Sequence, residues 1–151
     1  MNTETTFDMD SLLDGTLDQL ADVPEFRAYP PGSHQVRIQW EFPKEKKNQI
    51  VLKLHAISTI ELNDANDTPL SEGTMASIQF TMDNEYGQSA FRKIMTALAA
   101  HYGAASNREL IEKSQGATCL VVTNQRKGKK QEGQSEADRA VFTGIVELGV
   151  V

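Results

Sequence analysis

Seven of the fifteen Lys and Arg side chains of this chain fall into two short polar stretches. They are Lys44, Lys46 and Lys47 in PKEKKN, and Arg126, Lys127, Lys129 and Lys130 in NQRKGKKQEGQSEADR (residues 124–139), whose last residue, Arg139, is counted with the strand that follows. Clustered cations of this kind neutralise phosphates without reading a base sequence, and the affinity that they provide falls as salt rises. The alternative interpretation is that both stretches are simply solvated loops.

The negative net charge does not argue against a polyanionic partner, because the acids are concentrated at one end. The formal charge is -6, but seven of the 21 acids and none of the 15 Lys and Arg lie in residues 1–25. That leaves 14 acids against 15 cations in residues 26–151, so this part of the chain is close to neutral. We therefore divide the chain into an acidic leader, residues 1–25, and a body, residues 26–151.

Length and composition limit the class of protein. A chain of 151 residues suffices for one domain with a core of its own. No apolar run is long enough for a membrane helix, and MNTETTFDMD lacks the cations of a secretory or transit signal. The single cysteine, Cys119, fits a small buried hydrophobe, and we expect a reducing, cytoplasmic setting without membrane contact.

Patterns typical of enzymes are missing from the sequence. His34, His55 and His101 are scattered, without the spacing of metal ligands. The sequence has no phosphate loop, no GxSxG and no dinucleotide fingerprint. Asp64 and Asp67 in NDAND fit a cluster of turn formers better than a cation loop. We therefore expect a protein without catalytic activity, cofactor or metal.

The elements that must position the cations are mostly strands. HQVRIQWEF alternates, which places Val36, Ile38, Trp40 and Phe42 on one face. QIVLKLHAISTIEL predicts a longer strand whose alternation slips near residues 56–57, as at a bulge. TMASIQFTM, ATCLVVT and RAVFTGIVEL predict three more strands, with Phe80 facing inward.

Helices are predicted between the third and fourth strands. In GQSAFRKIMTALAAHYG the apolar residues recur at helical spacing, and Gly103 is placed to end the helix. NRELIEKSQG predicts a short second helix. Three strands, a helix and two strands fit a mainly β fold, a five-stranded OB-like barrel, and an open sheet covered by helices would give nearly the same order. We favour the barrel, because a long, bent second strand suits both of its halves.

The barrel hypothesis and the charge pattern lead to the same site. In an OB barrel the loops between strands one and two and between strands four and five flank the oligonucleotide-binding face. We therefore expect the two basic stretches at one end of the molecule, with Arg37, Lys53 and His55 on the outward sheet face between them. Single-strand binders usually add aromatic side chains that stack on bases. The candidates for stacking are Tyr29, His55, Tyr86 and Phe142, although a structural role is the alternative for each.

The acidic leader has three interpretations. MDSLLDGTLDQL carries Met9, Leu12, Leu13, Leu17 and Leu20 at helical spacing, which predicts a short helix weakened by Gly15. The leader is a solubilising tail, a segment that docks on a protein partner, or a mimic that competes with nucleic acid for the basic loops.

Three stretches of the body together are similar to one known family. They are YPPGSHQVRIQWEF, IQFTMDNEYGQSAFRKIMTALAAHYG, and GATCLVVTNQRKGKK followed by AVFTGIVEL. In this layout residues 26–151 resemble small phage-encoded OB-fold proteins that bind single-stranded DNA. The resemblance implies a protein of the host cytoplasm that coats exposed strands during DNA replication or recombination.

Two classes of function follow from these observations. The first is a sequence-tolerant binding protein for single-stranded DNA, with RNA as the alternative ligand and a homo-oligomer as a possible form. The second is a structural or assembly protein, such as a virion component, that docks through its acidic leader. An inhibitor that uses the leader as a nucleic-acid mimic is a third, weaker alternative.

Overall fold

The computed structural model describes residues 8–16, 25–103, 105–128, 132–133, 135 and 139–151. Five strands and three helices follow one another along these ranges. They are α1 (Met9–Asp14), β1 (Gly32–Glu41), β2 (Gln49–Leu62), β3 (Met75–Thr81), α2 (Glu85–Tyr102), α3 (Asn107–Ser114), β4 (Thr118–Lys127) and β5 (Val141–Val150). The order of strands and helices predicted for the body is thus confirmed.

The five strands form one antiparallel sheet in the order β3-β2-β1-β4-β5. β1 is the middle strand and pairs with both β2 and β4. β3 and β5 lie at the two margins, and within the described residues no hydrogen-bonded ladder joins them. The mainly β class and the helices between the third and fourth strands are confirmed, whereas closure into a barrel stays a prediction.

The predicted irregularity of the second strand is present as a β-bulge. Gln35 pairs with Ser58 and Val36 with Ala56, so Ile57 is an extra residue on β2. Bulges increase the local twist of a strand and let it bend. The bulge therefore allows the 14-residue strand β2 to bend.

The core lies between the inner sheet face and α2. Trp40, Phe80 and Phe91 meet there with ring centroids 5.6 to 6.4 Å apart, in the tilted and edge-on arrangements that aromatic rings prefer. Trp40 Nε1 donates to Ser114 Oγ at 2.9 Å, which ties α3 to the end of β1. The inward position predicted for Phe42 is wrong: β1 ends at Glu41, and Phe42 is 58% exposed in the loop that follows.

Local chemistry explains where both helices between β3 and β4 begin and where α2 ends. Asn84 caps α2 by accepting from Tyr86 N at 2.8 Å, and the predicted stop at Gly103 adopts the left-handed conformation. Ser106 caps α3 through Glu109 N at 3.1 Å. In the leader, α1 covers only six residues and leaves Met9 and Leu13 exposed, while Leu17 and Leu20 lie outside the described residues.

Residues 25–31, which we call the arm, run from the leader into β1 along the margin of β3. Met75 N donates to Glu25 O at 2.7 Å, and Arg27 N donates to Met75 O at 3.0 Å. Tyr29 then crosses to β5, since its N donates to Thr143 Oγ1 at 2.9 Å. The arm therefore contacts both margins of the sheet, through backbone hydrogen bonds at Glu25, Arg27 and Tyr29.

Candidate nucleic-acid interface

The two basic stretches do not lie at one end of the sheet, so that prediction is wrong. The loop with Lys44, Lys46 and Lys47 follows the last residue of β1. β4 is antiparallel to β1 and pairs Thr123 with Gly32, so its last residues extend past the beginning of β1. Hairpin direction therefore places the loop after Glu41 and the described cations Arg126 and Lys127 toward opposite ends of β1.

Arg37, Lys53 and His55 share the outer face of β1 and β2, as predicted. Arg37 stands opposite His55 in the ladder, and Lys53 stands opposite Gln39. This face is only weakly cationic, because Lys53 Nζ lies 2.9 Å from Glu41 Oε1 in an ion pair. His55 Nε2 is engaged as well, at 3.0 Å from Gln39 Oε1. Of these three side chains, Arg37 is thus the one that forms no ion pair or side-chain hydrogen bond with the described residues.

The second basic stretch is partly strand rather than loop. β4 continues to Lys127, and the ladder pairs Arg126 with Phe142 and Lys127 with Val141. Directly opposite residues of an antiparallel pair project from the same face, so Arg126 and Phe142 are neighbours. Lys129 and Lys130 lie outside the described residues.

A groove of about 470 Å³ lies between the margins of β3 and β5. We call it the gap groove. Its walls are the arm, the first half of β3 and the adjoining ends of β4 and β5; its lining residues include Phe26, Arg27, Ser77, Gln79, Arg126 and Phe142. A smaller cavity of about 170 Å³ shares Ile78 and Arg126 with the groove and adds Lys93 of α2. The opening between the strands therefore continues toward the helix.

The gap groove is cationic. Arg27, Arg126 and, in the adjoining cavity, Lys93 line it, and no Asp or Glu does so in the part of the chain that the structure describes. Arg27 Nη2 donates to Thr68 O at 2.9 Å, whereas its buried Nε has no acceptor among the described residues. Neither arginine forms an ion pair with a described carboxylate. The groove on the outer face of β1 and β2 differs, because Glu72 is one of its lining residues.

Two glycines make room for the side chains at the hairpin end of the gap groove. A Cβ on Gly128 would lie 2.8 Å from Cε2 of the Phe142 ring. A Cβ on Gly144 would meet the Asn124 side chain and lie 3.7 Å from Arg126 Nε. The hairpin backbone is fixed beside them, since Gly128 N donates to Ala140 O at 2.6 Å and Arg139 Nε donates to Gly128 O at 2.9 Å. Phe142 and Arg126 consequently project from a defined backbone.

Of the predicted stacking aromatics, Tyr29 is excluded because it is completely buried. Its hydroxyl donates to Thr74 O at 2.6 Å, and burial raises its pKa far above the usual value. Tyr86 is exposed at the start of α2 and does not line the gap groove. Phe142 is 54% exposed and lines the gap groove.

Sequence reasoning missed Phe26, Arg27 and Lys93. Phe26 is 62% exposed and lies on the arm. The arm has no repeating pattern of apolar residues, so its sequence does not indicate which way the Phe26 side chain faces. The only available signal was the adjacency of an aromatic and a cation in EFRAYPPG, directly after a segment without any cation. Lys93 lies on the polar face of α2, where solvation is the ordinary interpretation.

Within the described ranges, no group of three or more His, Cys, Asp and Glu side chains could hold a metal ion. No helix in that part of the chain combines the length and apolarity needed to cross a bilayer. No protein-family model matches this chain, and no curated protein matches it in sequence.

Proposed function

We propose that this protein binds single-stranded DNA without strong sequence preference and protects or presents exposed strands during replication or recombination. RNA is the alternative ligand, because phosphates are common to both and cationic contacts do not distinguish them. In this proposal the protein has no catalytic role, and its cations act as fixed counter-charges.

One observation carries the proposal: the gap groove brings Arg27 and Arg126 together with exposed aromatic rings and without a described carboxylate. A groove of one charge sign attracts a polyanion, since its walls focus the field along the opening. Single-strand binders combine such a groove with aromatic faces. In the sequence, three further cations follow Arg126 within four residues: Lys127, Lys129 and Lys130.

The strand order supports an OB-like barrel as the framework of this site. In such a barrel, a meander of three strands and a closing hairpin surround one core, and a helix lies between strands three and four. The order β3-β2-β1-β4-β5 leaves β3 and β5 to face each other across the gap groove, and lining residues from both strands support this arrangement. In such a partly open barrel, ligand contacts would lie along the gap groove and on the neighbouring outer face of β2 and β3.

Binding is best tested by fluorescence anisotropy with labelled oligo-dT beside a duplex of equal length, at about 50 and 200 mM salt. We expect the single strand to bind more tightly, with an affinity that falls steeply between the two salt concentrations. The double variant Arg126→Gln, Lys127→Gln removes two cations at the end of β4. It should weaken binding and reduce the slope of log K against log salt by about 0.7 for each phosphate that is no longer neutralised.

A matched control separates a local contact from a change of net charge. Lys113 pairs with Glu109 on α3 at 3.1 Å, and neither residue lines the gap groove. Arg108 lies on the same helix and does not line the groove either. The double variant Arg108→Gln, Lys113→Gln therefore removes the same charge from a different surface. Equal loss of affinity in both double variants, or no binding of wild-type protein at either salt concentration, would count against the proposal.

An assembly function is the second candidate, and the exposed apolar side chains of α1 favour it. Met9 and Leu13 are four residues apart, on one side of the helix, with Asp10 and Asp14 beside them. Deleting residues 1–24 keeps the bond from Met75 N to Glu25 O and removes α1. Under the DNA-binding proposal, the affinity for oligo-dT should survive the deletion or rise. Under the assembly hypothesis, the deletion should abolish self-association or capture of a partner, and neither the intact nor the shortened protein should bind oligo-dT.

A further inference from the structure

We propose that the gap groove is a nucleobase site, in which an unpaired base stacks on Phe26 and Phe142 while Arg27 and Arg126 neutralise the flanking phosphates. This inference rests on the proposed function and locates its ligand contacts at the margins of β3 and β5. It also assigns the specificity for single strands to that place, because only an unpaired base can leave its own stack for a protein ring.

Phe26 is a large apolar side chain that is exposed although its backbone is fixed. Hydrogen bonds to Met75 hold the residues on both sides of it, at 2.7 and 3.0 Å. A ring on an ordered backbone loses little conformational freedom when a ligand arrives, which favours affinity. The arm therefore presents Phe26 in a position prepared for a flat partner.

Phe142, on the other wall of the groove, is likewise an exposed apolar side chain on an ordered backbone. The ring rests against Gly128, at the ordered base of the hairpin, and is still 54% exposed. Arg126 stands directly opposite in the ladder, so a phosphate bound by its guanidinium holds the adjoining base close to the Phe142 ring. This pairing of stacking face and counter-charge matches the alternation of bases and phosphates along a single strand.

The chemistry of the remaining lining residues favours a base over an apolar peptide. Ser77 and Gln79 of β3 offer a hydroxyl and an amide for the polar edge of a base. The described lining contains two arginines and no carboxylate, which is unsuited to a neutral or basic peptide. A volume of about 470 Å³ lies within the range of small-ligand pockets, roughly 300–1,000 Å³.

The test compares oligo-dT with an abasic oligomer of equal length, which keeps the phosphates and lacks the bases. Phe26→Leu and Phe142→Leu should each weaken oligo-dT binding about tenfold or more, which corresponds to ~1.4 kcal/mol, and should leave the affinity for the abasic oligomer unchanged. Arg126→Gln should weaken binding of both oligomers, since it removes a phosphate contact. Phe42→Leu is the matched control, because Phe42 is equally exposed and does not line the groove.

A second variant keeps the test decisive if a leucine disturbs the hairpin. Phe142→Trp preserves a stacking face and adds a fluorophore, while the native Trp40 is buried in the core. Oligo-dT should quench the new fluorescence, and the abasic oligomer should not, even at concentrations where it is bound.

The outcomes that overturn the inference differ from those that overturn the proposed function. If wild-type protein binds oligo-dT and both leucine variants bind it equally well, or if Phe142→Trp binds without quenching, the base site is wrong and the binding function stands. If wild-type protein binds neither oligomer, the proposed function fails and the base site fails with it.

Discussion

Tyr29 connects the arm to the rest of the fold, and its hydroxyl can be removed without changing the shape of the side chain. The residue is completely buried. Its hydroxyl lies 2.6 Å from Thr74 O and 3.2 Å from Leu54 O, and a single proton is available to donate. Its backbone bonds to Thr143 and Gln125 do not involve the hydroxyl. Tyr29→Phe therefore removes one hydrogen bond and leaves the arm otherwise anchored.

The size of the effect follows from what happens to the acceptors. A typical buried hydrogen bond contributes about 0.5–1.5 kcal/mol, and an orphaned buried polar group costs about 1–3 kcal/mol. Thr74 O still accepts from Ala56 N at 2.9 Å after the substitution, so it is not orphaned. We expect Tyr29→Phe to lower the free energy of unfolding by about 1 kcal/mol, which lowers Tm by roughly 2–4 °C for a domain of this size.

Urea unfolding followed by Trp40 fluorescence, with a thermal melt by circular dichroism, measures this loss. Tyr86→Phe is the control: Tyr86 is 87% exposed, and the change should stay within about 0.5 kcal/mol. An unchanged free energy of unfolding in Tyr29→Phe would show that the hydroxyl contributes nothing. A loss of more than about 3 kcal/mol would show that the arm depends on it far more than one hydrogen bond allows.

Three further predictions concern other positions of the fold. A Cβ on Gly87 would clash with the Thr81 carbonyl, whereas a Cβ on Gly149 would meet open space. In urea unfolding experiments, Gly87→Ala should therefore lower the free energy of unfolding by about 1–3 kcal/mol, and Gly149→Ala should leave it unchanged. Burial, and after it the charge of Arg27, lowers the pKa of His34. The unfolded chain then binds a proton that the folded one excludes, so unfolding free energy should fall as pH drops below about 6.5, and His34→Gln should remove that dependence. Burial raises the pKa of Cys119 to about 11 from 9.0; at pH 8 its reaction with a disulfide reagent should be at least ~100-fold slower in folded than in unfolded protein, in a colorimetric assay.

Local sequence patterns were sufficient to predict the strands and helices of the body. Alternation identifies β1, β2 and β3, and the change of period identifies α2 and its end at Gly103. The alternation of inward and outward side chains does not reveal where a strand ends. It therefore wrongly places Phe42, which follows the last residue of β1, in the core. Charge does not end a strand either, which is why a loop is wrongly predicted at Arg126 and Lys127.

The candidate site was less accessible from the sequence, because distant segments build it. Phe26 reaches the gap groove through hydrogen bonds of its neighbours to Met75, about fifty residues away in the chain. The ladder that pairs Thr123 with Gly32 decides that Arg126 and Lys127 lie toward the opposite end of β1 from the loop with Lys44, Lys46 and Lys47. Neither relation leaves a periodic trace, since both depend on how strands pair across the sheet.

β1 is both the first strand of the chain and the middle strand of the sheet, and this sets an order of folding. Its ladder with β2 closes across a short loop, whereas its ladder with β4 joins residues such as Arg37 and Thr118. Contacts between distant residues form late, because the loop that they close must be ordered first. On the ribosome the β1-β2-β3 meander is complete at Thr81, and β4 begins only at Thr118. At synthesis rates of about 5–20 residues per second, roughly 2–7 s pass between the synthesis of Thr81 and that of Thr118, the first residue of the second strand that pairs with β1. In that interval the nascent chain exposes one side of its central strand, and it is then most open to mispairing with another chain.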